Sequence, residues 1–327
     1  MPGGAERALR GRIRSVQSTK KITRAMELIS ASRIAKAQAR VAAARPYSEQ
    51  ITNVIANLAA AGAGAGSPLL TQREEVRTVG YIVVAADRGL AGGYNSGVIR
   101  ATEQAIRDDV AAGRQYKLFL TGKKSVNYFR FRGYDIASQF IGFSDNPTYE
   151  NAREIAQEVV RQYTEGEVDQ VELVYTQFLS VGTQRVQMRR FLPVETGAIT
   201  ERPEGPTADY EFEPAPSAIL EQIVPRYVES RLFAALLDAA ASEHAARQRA
   251  MKSATDNADE LIKVLTRSMN RARQDAITTE IIEIASGAEA LAQAASGSVD
   301  LLHDRPQETD VFRQFRHDRD RREHKER

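Results

Sequence analysis

The feature that most constrains the fold of this chain is a run from Arg226 to Ser296 that contains no proline and a single glycine, Gly287. A continuous helix over this run would be about 105 Å long at ~1.5 Å per residue. Helices of globular domains average roughly three turns, so a helix this long needs a partner along its length. The run therefore predicts one helix of a coiled coil.

Apolar and small residues recur along this run at steps of three and four, which is the spacing of a coiled-coil seam. Because alanine and threonine outnumber leucine in it, we expect the partner helix to lie close and to be held less tightly. The two stripes are Leu261, Leu265, Met269, Ala272, Ala276 and Thr279, and Ile277, Ile281, Ile284, Ala288 and Leu291.

The partner helix is expected at the other end of the chain, where Ala5 to Ala60 is again helix-forming and is interrupted only near Pro46. Ile22, Met26 and Ile29 form one stripe at helical spacing. Two long terminal helices around a middle region predict an antiparallel coiled coil with an inserted domain. A second stripe consists of small residues: Ala31, Ala35, Ala39 and Ala42.

The middle of the chain alternates strand and helix patterns, which predicts a mostly parallel sheet with a possible antiparallel edge. The fold class expected is α+β, with the coiled coil carrying a Rossmann-like α/β domain. The predicted boundaries are 1–61 for the first helix, 62–216 for the inserted domain and linker, 217–296 for the second helix and 297–327 for a charged tail that we expect to be disordered. Predicted strands are Val79–Ala86, Tyr116–Thr121, Val171–Phe178 and Arg185–Leu192; predicted helices are Asn95–Ala112, Lys123–Phe131 and Thr148–Tyr163.

Composition excludes several kinds of site and of cellular location. The chain has 327 residues and no cysteine, which excludes disulfides, thiol catalysis and cysteine-bound metals. No apolar stretch approaches the ~18 residues of a membrane span, and the first residues lack the apolar centre of a signal peptide. We therefore expect a cytoplasmic protein that could still sit on a membrane complex.

Positive charge is concentrated near the N-terminus although the net charge is only +2. Eleven basic residues precede Pro46, against two acidic ones, Glu6 and Glu27. A solvated helix face explains such a bias as well as a binding surface does. If this basic segment is a binding surface, an acidic protein partner is favoured over nucleic acid, because no aromatic residue for base stacking occurs before Tyr47.

Two glycine-containing loops follow predicted strands, which is where the loops of nucleotide-binding sites lie. Asp87–Asn95 does not have the G-x-G-x-x-G spacing, because Leu90 and Ala91 separate Gly89 from Gly92. Gly122–Ser125 lacks the first glycine of a phosphate loop and has Lys124 where Ser or Thr is needed. Both patterns are more typical of turns. No histidine or carboxylate cluster has metal-ligand spacing, so we predict no catalytic, cofactor-binding or metal-binding residues and no cofactor.

Three ordered segments resemble the γ subunit of F-type ATP synthases, and the likeness runs from about Ala5 to Leu291. The first is the N-terminal helix from Arg12 to Leu28 and the second is the loop Asp87–Asn95. The third is the long helix, with the runs Ser242–Arg247, Met251–Ala258, Arg271–Gln274 and Ala276–Ile281.

The resemblance implies a central-stalk rotor without a nucleotide site of its own, present as one copy per complex and not as a homo-oligomer. It implies α and β subunits of a catalytic head around the coiled coil, and an ε subunit and the membrane c-ring at the α/β domain. Proton-driven rotation would then cycle the β subunits through ATP synthesis on the cytoplasmic side of a bacterial cell membrane, with no nucleic acid involved. The residues implied to contact the head are Lys21, Met26, Arg33, Lys36, Arg273, Gln274, Thr278 and Glu280.

Alternatives to these roles remain open from the residues themselves. Coiled-coil packing would also explain Met26 and Thr278, and a solvated helix position would explain Arg273. The chain departs from the family at Ala91, where many members have cysteine, and after about Ser296, where most members stop. A free-standing coiled-coil scaffold and a nucleotide-dependent enzyme with a helical arm are the competing functions.

Overall fold

The computed structural model of the chain describes residues 3–60, 67–194 and 215–297. The described chain forms two compact units, one within Arg14–Lys263 and the other from residues 3–13 together with residues 264–297. The predicted tail, the glycine-rich loop before Ser67 and most of the proline-rich linker lie outside the described residues.

Two long helices form the two ends of the described chain. Helix α1 spans Gly3–Ala60 and helix α5 spans Pro216–Gly297. The interruption predicted near Pro46 is wrong, because α1 continues through this residue. A proline inside a helix removes one backbone hydrogen bond, and the bonded turns on both sides of Pro46 keep the helix continuous.

The inserted domain is a five-stranded sheet with helices on both faces. The strand order is β3-β2-β1-β4-β5, and all neighbours are parallel except β4 and β5, which confirms the predicted antiparallel edge. In chain order the elements are β1 Thr78–Val84, α2 Tyr94–Ala111, β2 Gln115–Thr121, α3 Lys123–Phe131, β3 Ile136–Phe140, α4 Tyr149–Thr164, β4 Gln170–Phe178 and β5 Gln184–Leu192.

Strand β3 was missed from the sequence. It is a five-residue strand at the edge of the sheet, and its residues alternate between half-buried and exposed. A continuous apolar run, the signal that located β1, is therefore absent from it.

Two hydrophobic clusters cover the two faces of the sheet. One joins the sheet to α4, to the first part of α5 and to the end of α1 through residues such as Ile155, Leu232 and Ile55, all fully buried. The other packs α2 and α3 on the opposite face, around Val98 and Phe129. The sheet therefore holds the C-terminal part of α1 and the N-terminal part of α5 in one core.

Within the unit Arg14–Lys263, α1 and α5 run antiparallel. The Thr23 and Thr255 hydroxyls lie 2.8 Å apart, and Lys20 pairs with Asp259. A step along α1 thus corresponds to a step backwards along α5. The seam follows a heptad spacing and is small and polar for a coiled coil. Its buried or half-buried positions are Val16, Lys20, Thr23, Glu27, Ser30, Ile34 and Ala37 on α1, and Met251, Thr255, Ala258 and Ile262 on α5.

The two stripes expected on α1 do not form this seam. Ile22 is 58% exposed and Ile29 is 54% exposed, while Met26 is half-buried at its margin. Ala35, Ala39 and Ala42 are exposed as well. The strongest apolar periodicity of α1 therefore points outward, because the middle of the seam is occupied by polar residues: Lys20, Thr23, Glu27 and Ser30.

In the unit that contains residues 264–297, the two stripes expected on α5 differ in burial. Of the first stripe, Leu265 is buried and Met269, Ala272 and Ala276 are half-buried, as predicted, whereas its last member, Thr279, is exposed. Its first member, Leu261, belongs to the other unit and is also exposed. The second stripe is exposed at every position: Ile277, Ile281, Ile284, Ala288 and Leu291.

Candidate functional site

The predicted partner-contact residues of α1 lie on its outward side and at its margins. Lys21 and Lys36 are exposed, and Met26 is half-buried. Arg33 has a partner within the chain, because its Nη1 lies 2.7 Å from Oδ2 of Asp145 in the loop before α4. The structure thus leaves the two lysines in solvent and gives Arg33 an internal ion pair.

Other cations of the basic N-terminal segment are also used inside the chain. Lys20 pairs with Asp259 across the seam, and Arg24 lies 2.8 Å from Glu27 on the same helix. Arg40 donates to the Asn146 side chain and to the Pro147 carbonyl. Part of the positive charge therefore joins α1 to α5 and to the loop before α4, and part remains exposed.

The predicted partner-contact residues of α5 are all exposed and lie within two helical turns. They are Arg273, Gln274, Thr278 and Glu280. The Thr278 hydroxyl donates to the Gln274 carbonyl at 3.0 Å, so it is engaged with its own helix. Among the residues described, the Arg273 guanidinium and the Gln274 amide have no hydrogen-bond partner, which leaves them free for a second molecule.

Asp87 gives the glycine-containing loop after β1 a structural role. Its carboxylate accepts hydrogen bonds from the backbone N–H groups of Lys123, Gly142 and Ser144 at 2.9–3.0 Å. These donors follow β2 and β3, so one side chain links the carboxyl ends of three strands. Burial acts to raise the pKa of Asp87, but the three N–H donors outweigh it and the pKa is lowered.

The turn after β2 is built from the same kind of backbone bonds. The N–H of Gly122 donates to the Phe140 carbonyl at 2.8 Å, and the N–H of Lys124 donates to the Ala86 carbonyl at 3.0 Å. Gly122 has a φ of +82°. These two amides, which a phosphate loop would offer to a ligand, are therefore bonded within the chain.

A buried polar cluster fixes α5 to the α/β domain. The carboxylate of Glu243 pairs with Arg247 at 2.5 Å, and the two side chains are 1% and 8% exposed. Arg247 also donates to the Gly89 carbonyl at 3.3 Å. The Ser242 hydroxyl donates to the Thr176 carbonyl at 3.0 Å, so one turn of α5 contacts both the glycine-containing loop and β4.

Burial controls the protonation of this cluster. It raises the pKa of Glu243, and the charge of Arg247 opposes the shift only in part. It lowers the pKa of His244, whose Nε2 lies 3.1 Å from the Asp145 carbonyl oxygen. It also raises the pKa of Tyr94 next to the pair, together with the charge of Glu243.

The sequence did not lead us to predict that this cluster joins α5 to the α/β domain. The signal available was the density of ionisable residues, Glu243, His244 and Arg247, in an alanine-rich stretch that is otherwise apolar. Such residues are rarely fully buried unless they are paired, so their presence there indicated a buried polar contact.

The described residues lack two features of membrane-spanning and metal-binding proteins. No described helix is long and apolar enough to cross a membrane. In the same ranges, no group of three or more His, Cys, Asp or Glu side chains is arranged to hold a metal ion.

Comparison with known proteins gives consistent matches. A family model described as ATP synthase matches residues 5–291. The chain is 51% identical over 297 residues to the ATP synthase gamma chain of Parafrankia sp., covering 89% of this chain and 99% of the relative. It is 52% identical over 294 residues to the ATP synthase gamma chain of Frankia casuarinae, covering 88% and 98%.

The fold has a counterpart among solved structures. A chain of the Euglena gracilis mitochondrial ATP synthase, in a structure of its rotor in rotational state 1, superposes with a TM-score of 0.59. The match covers 84% of this chain and 99% of the Euglena chain at 14% sequence identity. At this identity the likeness concerns the fold: a sheet domain between two long terminal helices.

Proposed function

Since the chain belongs to the family of ATP synthase gamma chains, we propose that it acts as the central-stalk rotor of a proton-driven ATP synthase. In this role it couples rotation of the membrane c-ring to the conformational cycle of the catalytic β subunits, in synthesis and in hydrolysis. Its partners are α and β subunits at the terminal helices, and an ε subunit and the c-ring at the α/β domain.

The observation that carries the proposal is the outward apolar face of α1. Ile22, Leu28 and Ile29 are each more than half exposed, although α1 already has a partner helix along its seam. Exposed apolar side chains grouped on one element mark a surface that meets another protein. Lys21 and Lys36 flank this face and favour an acidic partner, as expected for the lever of a β subunit.

The exposed part of α5 supplies the second contact proposed. Arg273, Gln274, Thr278 and Glu280 lie next to the exposed isoleucines Ile277 and Ile281. Contacts between a rotor and its catalytic subunits form at some angles and break at others. A hydrogen bond to a charged group contributes about 1.5–3 kcal/mol. If the bond forms at one rotor angle and not at another, this free energy changes the rate of the step between them by about tenfold or more.

The proposed role is non-catalytic. The turn after β2 uses the amides of Gly122 and Lys124 for its own backbone bonds, and Asp87 occupies the amide of Lys123. These internal bonds support a turn that binds no nucleotide. ATP turnover is therefore assigned to the β subunits, and the chain is expected as a peripheral protein on the cytoplasmic side of the membrane.

The direct test is a cross-link that stops rotation. Because the chain has no cysteine, Thr278→Cys introduces its only thiol, which is labelled with a maleimide photocross-linker in the assembled complex. After illumination we expect a covalent product with an α or β subunit, and ATP hydrolysis reduced in proportion to its yield. Gln157→Cys on the exposed side of α4 is the matched control, and its labelling and illumination should leave ATP hydrolysis unchanged.

A second measurement tests the composition of the complex. An affinity tag on the chain should retain α, β and ε subunits from native membranes in a fixed ratio. A high cross-linking yield at residue 278 with full ATP hydrolysis would contradict the rotor assignment. Isolation of the chain without α and β subunits would favour a free-standing scaffold instead.

A further inference from the structure

A cavity of about 420 Å³ opens where the strand order of the sheet reverses. It lies between the start of α2, the β4–β5 hairpin and α5, at the carboxyl end of β4. In open α/β sheets the crevice at this reversal is where ligands bind. Its wall includes Gly92, Gly93, Thr176, Val186 and Arg249.

The wall contains a buried hydroxyl that the described chain does not use. Thr176 is 5% exposed, and its Oγ1 has no hydrogen-bond partner among the described residues. Thr176 is paired in register with Val186 on β5, and both residues line the cavity on the side of the sheet covered by α2. Buried hydroxyls in folded proteins are almost always hydrogen-bonded. The oxygen is closed to solvent in the structure, so a rotation of the Thr176 side chain about χ1 is needed for the hydroxyl to donate to a bound molecule.

A guanidinium with spare donors lies on the same wall. Arg249 donates through Nη1 to the Val181 carbonyl at 2.6 Å and through Nη2 to the Gln184 side chain. Arginine has five N–H donors in a planar fork, and these two contacts leave the others available. No aspartate or glutamate is among the lining residues, so the local charge favours an anion.

The first turn of α2 adds backbone donors and a favourable dipole. Helix α2 has 18 residues, and its N-cap Gly93 supplies no side-chain cap. Within the described residues, the N–H groups of Asn95 and Ser96 have no acceptor. The N-terminal end of such a helix carries partial positive charge and is a recurrent binding position for phosphate.

We propose that this cavity binds a phosphate group, either as inorganic phosphate or as a phosphate monoester. The Thr176 hydroxyl, the Arg249 guanidinium and the first turn of α2 supply the donors, and Gly92 and Gly93 allow the ligand to approach the backbone. The site uses the glycine-containing loop although that loop lacks a dinucleotide spacing. The proposal does not depend on the rotor role.

The test is a calorimetric titration of the purified full-length chain with sodium phosphate, against sodium chloride at equal ionic strength. We expect saturable binding of phosphate to the wild-type chain. Arg249→Gln should raise the dissociation constant for phosphate by about tenfold or more, and Thr176→Val should raise it by about twofold to tenfold. Arg185→Gln removes an equal charge on β5 outside the cavity and should change it by less than twofold.

A parallel titration with glycerol 3-phosphate identifies the source of the phosphate group. Tighter binding than inorganic phosphate assigns the cavity to a monoester, and weaker binding assigns it to the free anion. Far-ultraviolet circular dichroism checks that each variant is folded. If Thr176→Val is unstable, Arg249→Gln still tests the site, because it changes only an exposed side chain. Absence of saturable binding of either ligand, or an equal loss in Arg185→Gln, would overturn the proposal.

Discussion

Asp87 illustrates how one side chain can organise the carboxyl edge of a parallel sheet. Its carboxylate accepts three backbone N–H bonds from segments that follow two other strands. Loops at this edge carry the binding groups of many α/β proteins. Here the carboxylate satisfies donors of the protein itself, and it adds to the direct backbone bonds between these segments.

The charge of Asp87 predicts an acid-dependent contribution to stability. Because its pKa is lowered in the folded chain, its contribution is complete above the ordinary aspartate pKa of about 4 and is lost as the pH falls through the folded value. We expect Asp87→Asn to lower the free energy of unfolding by about 1–2 kcal/mol at neutral pH. The measurement is denaturant unfolding from pH 7 to pH 3.

The pH profile separates this role from general packing. The difference in unfolding free energy between wild type and Asp87→Asn should shrink as the pH falls below about 4. Glu75→Gln removes a carboxylate that is exposed and paired with Arg77, and it should cause little change at any pH. A difference that stays constant with pH would show that the carboxylate charge of Asp87 is unimportant.

The Glu243–Arg247 pair gives a second prediction for single residues. Arg247→Met leaves a buried carboxylate without its partner, which costs about 3–5 kcal/mol of stability. Because burial already raises the pKa of Glu243, the loss should shrink at lower pH as the carboxyl group is protonated. Adding Glu243→Gln to Arg247→Met should restore much of the stability measured by denaturant unfolding. Equal destabilisation in the single and double variants would mean that packing, not charge, dominates.

The elements of the α/β domain show how far local pattern determines structure. The predicted strands and helices agree with the observed elements to within about two residues, because their apolar runs and turn residues lie next to one another in sequence. Strand β3 lacks such a run and was missed. The prediction failed more seriously for α1, where Ile22 and Ile29 suggested a seam that the structure places outward.

The reason is that a seam is defined by its partner. Thr23 and Thr255 are separated by 232 positions and meet through their hydroxyls. Nothing near Thr23 in sequence distinguishes such a contact from a solvated threonine. Likewise, Arg33 gives no local sign of its ion pair with Asp145. For the candidate site, the exposed positions on α5 follow from the helix pattern, whereas the internal partners of the α1 cations do not.

The turn after β2 provides a prediction at the level of an element. A Cβ atom on Gly122 would lie 2.1 Å from the Ala85 carbonyl oxygen, and the residue has a φ of +82°. We expect Gly122→Ala to shift β2 away from β1 and to destabilise the domain by more than about 3 kcal/mol. Thermal unfolding of the full chain measures the loss.

Gly113 is the matched control for this turn. Its φ is +80°, but an added Cβ atom meets nothing within 4 Å. Gly113→Ala should therefore cost only the backbone strain, about 1–2 kcal/mol. If the two variants lose equal stability, the close approach to Ala85 contributes nothing and strain alone explains Gly122.

For the whole molecule, the function proposed depends on contacts that the chain makes with other subunits. Arg273→Ala combined with Gln274→Ala should lower ATP synthesis and hydrolysis severalfold or more, since each lost bond to a charged partner contributes about 1.5–3 kcal/mol. Both residues are exposed, so α and β subunits should still co-purify with the chain. Turnover is measured on membranes that contain equal amounts of complex.

The control for this double variant is Arg153→Ala with Gln157→Ala, which removes the same two side-chain types from the surface of α4. Turnover in this control should remain near that of the wild type. Normal turnover in the Arg273 and Gln274 double variant would show that these side chains are only solvated helix surface.

The antiparallel pairing of α1 with α5 also sets the order in which the chain can fold during synthesis. Thr23 leaves the ribosome 232 residues before its partner Thr255. At roughly 5–20 residues per second, the N-terminal helix waits about 10–50 s for the segment that covers its seam. A leucine-rich seam exposed for that time would promote aggregation, whereas the threonine, serine and glutamate side chains of this seam are readily hydrated. The weak seam of α1 is thus suited to a helix that is made first and paired last.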